Sequence, residues 1–172
     1  MRIQMIFCVE TNKKADTDSI YITETLNYKY IITNQVKISK IYMGTKSKYN
    51  SKEVLKEIKN KIKSFSSGET KVIYCIDTDK YEKSYEHQKQ LNDINQFCIN
   101  NGYDLIWFCH DVEDVYLGKN ISDSQKVTEA SNFRKKKMIT LINEQNLSCN
   151  EKRNHTSNIL TILDKYLKRK PI

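Results

Sequence analysis

Glu10, the pair Asp77 and Asp79, and the run His110, Asp111, Glu113 and Asp114 are the side chains in this 172-residue chain whose types and spacing suit chemistry. Two carboxylates at i and i+2 on a turning backbone can point the same way and share a hard divalent cation. Mg²⁺ is usually held by one or two carboxylates, with waters and substrate phosphates completing its shell. A bound metal can polarise a phosphoryl centre, and a carboxylate left off the metal can act as general base or acid. His110 adds a group that can donate to phosphate or shuttle a proton near neutral pH. Each of these residues also has an ordinary role open to it, since Asp is a common turn residue. What sets the three places apart is that each follows an apolar run directly.

Those runs define the elements that must position the acids. Residues 72–76 (VIYCI) are apolar or aromatic without a break and lead straight into Asp77. A short run of this composition predicts a strand buried on both faces, as in parallel sheets covered by helices. Residues 3–9 and 103–109 read the same way, and 36–43 supplies a further strand by near alternation of Val36, Ile38 and Ile41. Between them lie helical patterns. One helix starts at about Asp18. A second is capped at Asn50, with Glu53 in capping-box position and a stripe of Val54, Leu55, Ile58, Ile62 and Phe65. A third runs from about 84 to 100 and stops at Gly102. Alternating strands and helices predict an α/β fold: a Rossmann-like, mainly parallel four-stranded sheet flanked by helices. In that architecture ligands bind beyond the carboxyl ends of the strands, where Glu10, Asp77, Asp79 and the 110–114 run all fall. Gathering carboxylates at one sheet edge destabilises a fold unless a cation neutralises them, so the arrangement itself argues for a metal.

The rest of the chain reads as helical: 124–146, then an amphipathic helix from Thr156 carrying Ile159, Leu160, Leu163, Tyr166 and Leu167. The expected organisation is a catalytic domain over 1–120 and a basic helical extension over 121–172 packed on it. Of the formal net charge of +8, residues 126–172 hold 11 Lys/Arg against 4 Asp/Glu. Such an excess beside a nearly neutral body suggests a polyanionic partner. Arg134, Lys135, Lys136 and Lys137 concentrate it best, and Lys80, next to the Asp pair, is a further candidate phosphate contact. Five cysteines with no C-x-x-C exclude a zinc motif and argue against a disulfide framework. No run approaches the roughly 20 apolar residues of a membrane span, and 1–9 is too short for a signal segment. A cytoplasmic protein without membrane attachment is expected.

A strand ending in Glu and a later strand ending in Asp-x-Asp, within an α/β chain of this size, resemble the Toprim domain. That domain is shared by topoisomerases, bacterial primases, OLD-family nucleases and small RNA-maturing nucleases. The resemblance covers about residues 1–118 and is closest to the small RloB-like and abortive-infection proteins of phage defence. It implies that Glu10 is the general acid/base and can also touch the metal, that Asp77 and Asp79 bind Mg²⁺, with Mn²⁺ as a substitute, and that Glu113 matches a further family glutamate. It implies a Mg²⁺-dependent nuclease in bacterial anti-phage defence, with RNA, tRNA among it, slightly favoured over DNA. His110 would stand beside Glu10 as a catalytic group. No separate strand-passage or priming domain is present in these residues, which argues against topoisomerase and primase activity.

A rival expectation is a non-catalytic partner or sensor subunit of a two-component defence or toxin system, or a homo-oligomer, built on the same scaffold. Its signature would be an exposed apolar stripe over 159–167, free to dock on a protein. A phosphorylatable receiver domain ranks last, because it needs an acidic pair after the first strand and only Glu10 stands there.

Overall fold

The computed structural model describes residues 2–171. Four strands, β1 (Arg2–Val9), β2 (Val36–Tyr42), β3 (Gly68–Asp77) and β4 (Asp104–Phe108), form one sheet in the order β2-β1-β3-β4. Every pairing is parallel. With helices on both faces this is the Rossmann-like α/β architecture expected from the sequence. Seven helices connect and cover the strands: α1 (Asp18–Lys29), α2 (Lys52–Lys63), α3 (Tyr85–Asn101), α4 (Val112–Leu117), α5 (Asp123–Lys135), α6 (Glu144–Leu147) and α7 (Ile159–Leu163).

The unbroken apolar run of β1 reflects its central place. Met5, Phe7 and Val9 face one layer, with α1, α4, α5 and α7, while Ile6 and Cys8 face the other, with α2 and α3. Strands buried on both faces gain nothing from polar alternation. β3 lies so close to β1 at its start that a Cβ on Gly68 would stand 2.0 Å from the Arg2 carbonyl oxygen, which requires glycine there. At the far end of α3, Gly102 takes φ 65 and closes the helix in the left-handed conformation.

Three local expectations need correction. The cap of α2 is Ser51, whose Oγ accepts from the Val54 N–H at 3.3 Å. Asn50 is left in the turn before it, because a 3₁₀ turn over Lys46–Lys48 delays the helix. The helical reading of 124–146 breaks after α5. Lys137 has φ 50, and the chain turns so that Ile139 reaches the core. Four adjacent basic residues, 134–137, give no reason to continue an amphipathic helix through them.

The third correction bears on function. Residues 156–158 lie alongside β4, with Ser157 bridged antiparallel to Phe108, and the helix opens only at Ile159. The Cys109 N–H donates to the Thr156 carbonyl at 2.9 Å, and Ser157 Oγ donates to the Trp107 carbonyl at 2.7 Å. Asn158 takes the Trp107 N–H and gives its own amide to the Leu105 carbonyl, both at 2.9 Å. The open edge of β4 is thereby satisfied, as a sheet edge needs. Ile159, Leu160 and Leu163 are then fully buried in the same core cluster as Met5 and Phe7. The apolar stripe is an internal packing face of the sheet domain, so the docking signature of the rival expectation is not there. No helix among the described residues is long and apolar enough to cross a membrane.

Candidate active site

The strand order reverses between β1 and β3: from β1 the chain goes outward to β2, then returns to β3 on β1's other side. Such a switch point opens a crevice beyond the strand ends. Val9 pairs with Cys75, so Glu10, the next residue, and Asp77, two beyond Cys75, meet at that crevice. Glu10 Oε1 accepts the Asp77 backbone N–H at 2.7 Å. The Asp77–Asp79 turn is also stitched to the end of β4. The Thr78 N–H reaches the Phe108 carbonyl at 2.9 Å, and the Asp79 N–H reaches the His110 carbonyl at 2.8 Å. Asp79 and His110 both have positive φ, 49° and 63°. Left-handed backbone at non-glycine residues is uncommon and is tolerated most readily by Asp, Asn and His. A cleft of about 520 Å³ opens here, lined among others by Glu10, Asp18, Asp77, Asp79, Asp123 and Lys126.

Burial dominates its electrostatics, with like charge adding to it. Burial pushes Glu10 up to about 7, with Asp18 and Asp79 adding to the rise and Lys46 and the Asp77 N–H opposing it. Burial likewise pushes Asp18 up to about 7, helped by Glu113 and opposed by Lys126. Asp77 is held well above the usual carboxylate range by burial and then by Glu10, Asp18, Asp111 and Glu113. Glu113 is raised by its burial and by Asp111, against the pull of Lys126. Burial alone would lower Lys126, but Glu113 and Asp111 outweigh it and hold the ammonium above its ordinary range.

Of the residues singled out from sequence, Glu10, Asp77 and Asp79 come together at the crevice. Glu113 sits behind them in the first turn of α4, fully buried, with Oε2 3.2 Å from Lys126 Nζ. Neither of its carboxylate oxygens has an aligned hydrogen-bond donor. His110 and Lys80 line a neighbouring cavity of about 210 Å³ with Glu82, Lys83, Asp111 and Asp114. There His110 Nε2 lies 2.7 Å from Glu82 and its Nδ1 3.6 Å from Asp114, so the ring is engaged away from the acidic cleft. Arg134 pairs with Glu24 at 3.1 Å, while Lys135, Lys136 and Lys137 are exposed. The helix α5 starts in the cleft at Asp123, and Arg134 lies about 12 Å along it from Lys126 at 1.5 Å per residue, with Lys136 and Lys137 just past its end.

Asp18, Asp123 and Lys126 line the cleft and Lys46 reaches its Asp77–Asp79 turn, and none of the four was marked as a site residue by the sequence. Asp18 is in the first turn of α1, and Lys126 is in that of α5. Both are set in place by an aromatic cluster joining α1, α4 and α5. Tyr21 stacks on Tyr116 at 5.1 Å between ring centroids, and Phe133 packs on both at 4.9 and 5.6 Å. Thr25 Oγ1 and Tyr116 OH, 2.7 Å apart, tie the cluster together. Acid in a helix's first turn after a strand-end loop is the one sequence signal that could have pointed to Asp18.

Among the described residues, no three His, Cys, Asp or Glu side chains are already drawn together as a metal-ligand set. The donor chemistry nonetheless suits a hard cation. Asp77 is surrounded by other carboxylates, and the Glu113 oxygens lack hydrogen-bond donors. Mg²⁺ asks for only one or two protein carboxylates. Comparison with protein-family models, curated proteins and solved structures finds no match to this chain.

Proposed function

We propose that this chain is a Toprim-like, divalent-metal-dependent phosphodiesterase acting on nucleic acid. The observation that carries the reading is the hydrogen bond from the Asp77 N–H to Glu10 Oε1 at 2.7 Å. It sets a lone glutamate and an Asp-x-Asp turn side by side at the switch point of a parallel sheet. Asp77 and Asp79 would hold Mg²⁺ or Mn²⁺, with Glu10 at its margin and Glu113 behind it. When bound, the metal supplies charge stabilisation at the phosphoryl oxygens.

The chain's own residues do the remaining work. Glu10, at about 7, divides between its protonated and ionised forms at neutral pH. A group poised near the working pH is the best compromise for taking a proton from water or returning one to a leaving oxygen. Lys126 keeps the buried Glu113 from standing as an unpaired charge. Lys135, Lys136 and Lys137 would hold backbone phosphate without reading sequence, because lysine–phosphate contacts carry no base information. Binding should then weaken steeply with salt. RNA, with tRNA first, is slightly favoured as substrate, and a role in bacterial anti-phage defence is the setting the resemblance suggests.

The test is cleavage of pooled tRNA, single-stranded DNA and duplex DNA with and without Mg²⁺ or Mn²⁺. Glu10→Ala and Asp77→Ala run alongside, with folding checked by circular dichroism. Metal-dependent cleavage lost in both variants supports the reading. A folded wild type that cleaves none of the pools with either metal speaks against it.

A further inference from the structure

Lys46 lies on the loop that leaves β2, two residues after Gly44, in the 3₁₀ turn Lys46–Lys48. Its side chain reaches the Asp77–Asp79 turn. Nζ donates to the Asp77 carbonyl at 2.8 Å and pairs with Asp79 Oδ2. Only 12% of the side chain is exposed, against 44% for Asp79. Its charge also acts on Glu10. One ammonium therefore holds the Asp79 carboxylate and the Asp77 main chain and acts on Glu10. Lys126, the other cation of the cleft, is committed to Glu113, with Asp111 and Asp123 near 4 Å.

An ammonium is a compact point charge with three donors and no acceptor. A divalent cation seeking the Asp79 oxygens meets it as a like charge at contact distance, and that repulsion is strong where water is partly excluded. Lys46 can relinquish Asp79 without becoming an unpaired buried charge only if another anion takes its place. A phosphodiester oxygen is such an anion, and phosphate oxygens are also the groups that complete a Mg²⁺ shell. The same arriving ligand thus satisfies the metal and releases the lysine.

We infer that Lys46 is a positioning residue that couples metal entry to phosphodiester binding. It holds Asp79 before either ligand binds and transfers to the substrate phosphate as the divalent cation takes Asp77 and Asp79. This rests on the proposed phosphodiesterase reading and specifies how its site fills. Metal affinity is weak until a phosphodiester is present, and each ligand strengthens the other by the same factor.

The experiment is a Mn²⁺ titration followed by electron paramagnetic resonance, with and without a short phosphorothioate oligonucleotide. It compares wild type, Lys46→Met and Lys46→Arg, each checked for an unchanged melting transition. In wild type the oligonucleotide should tighten Mn²⁺ binding about tenfold, within the usual range of coupling between two ligands. Lys46→Met should bind Mn²⁺ about tenfold more tightly than wild type without oligonucleotide and gain little on its addition. Lys46→Arg should restore most of the coupling, which a purely structural lysine would not require. Equal Mn²⁺ affinity in wild type and Lys46→Met without oligonucleotide, or equal coupling in both, overturns the inference and leaves the phosphodiesterase reading standing. No Mn²⁺ binding by any protein, with or without oligonucleotide, overturns that reading and the inference with it.

Discussion

Two acid-rich regions of the molecule use the same residue types to opposite effect. Near the carboxyl-terminal end of the described chain, Arg169 makes paired contacts of 2.7–2.8 Å with Asp164 and reaches Glu144 at 2.7 Å. Tyr30 OH donates to Asp164 at 2.8 Å, and Lys29 pairs with Glu144. Burial alone would raise Asp164, but hydrogen bonds from Arg169 and Tyr30 outweigh it and hold it below the usual range. Glu144 is held low chiefly by its bond from Lys29. At the strand ends, Glu10, Asp18, Asp77 and Glu113 mostly face one another and are all pushed up. The clasp is what acids look like when they hold a fold together. The cleft gathers acids that mostly lack such cationic partners, and perturbed carboxylates of this kind cluster at functional sites.

The largest expected effect is on catalysis. Glu10→Gln keeps the acceptor for the Asp77 N–H but removes the proton-transfer group, so cleavage should fall by roughly 10²–10⁴-fold while the fold persists. Single-turnover cleavage rates against an unchanged circular dichroism spectrum check this. A variant as fast as wild type would remove Glu10 from the chemistry.

Stability should then separate the two regions by sign. Asp77→Asn relieves repulsion and should raise Tm at neutral pH without metal by roughly 2–4 °C, the shift that about 1 kcal/mol produces in a chain of this size. Arg169→Ala should lower Tm, by no more than the same amount, because Arg169 and Asp164 are over a third exposed and Glu144 nearly so, and such pairs give about 0–1 kcal/mol. Calorimetry on both variants reads the contrast, and a destabilised Asp77→Asn would erase it.

The pH dependence follows the same division. The folded chain binds the Glu10 and Asp18 protons more tightly than the unfolded chain, whose carboxylates titrate near their ordinary values of 4.5 and 3.8. Stability from this source is complete below about pH 4 and is lost as pH rises to about 7. Asp164 and Glu144 act in reverse: their contribution is present above the ordinary carboxylate range and is lost on acidification. The Tm differences of Asp77→Asn and Arg169→Ala should therefore both shrink in acid, from opposite sides of wild type. Melting curves of the three proteins across this range test it. The smallest effect concerns binding. Replacing Lys135, Lys136 and Lys137 by Gln should flatten the salt dependence of oligonucleotide affinity, by about one unit of slope for each phosphate that no longer meets a lysine. Fluorescence anisotropy over a salt series measures it.

Much of the clasp–cleft contrast was hidden from sequence, for identifiable reasons. The strands were legible because a strand buried on two faces must be a continuous apolar run, and Glu10 and Asp77 were legible because they end such runs. Lys46 and Lys126 were not, since nothing local distinguishes a lysine that folds onto an acid from one that faces water. The stripe of Ile159, Leu160 and Leu163 was visible, but periodicity tells only that a face is apolar and says nothing of what covers it. Residues 156–158 could not be read as an edge partner of β4, because their role is made by backbone groups and the Asn158 amide.

In the proposed function the cleft's unfavourable charge exists for a divalent cation. The most direct test is the Tm of wild type and Asp77→Asn at neutral pH, with and without saturating Mg²⁺. Without metal the variant should melt higher. With metal, wild type should gain stability, by about 2.7 kcal/mol at a hundred times the dissociation constant, and overtake it. If Mg²⁺ moves neither protein and Asp77→Asn melts lower throughout, the cleft is a structural acid cluster and the account is wrong.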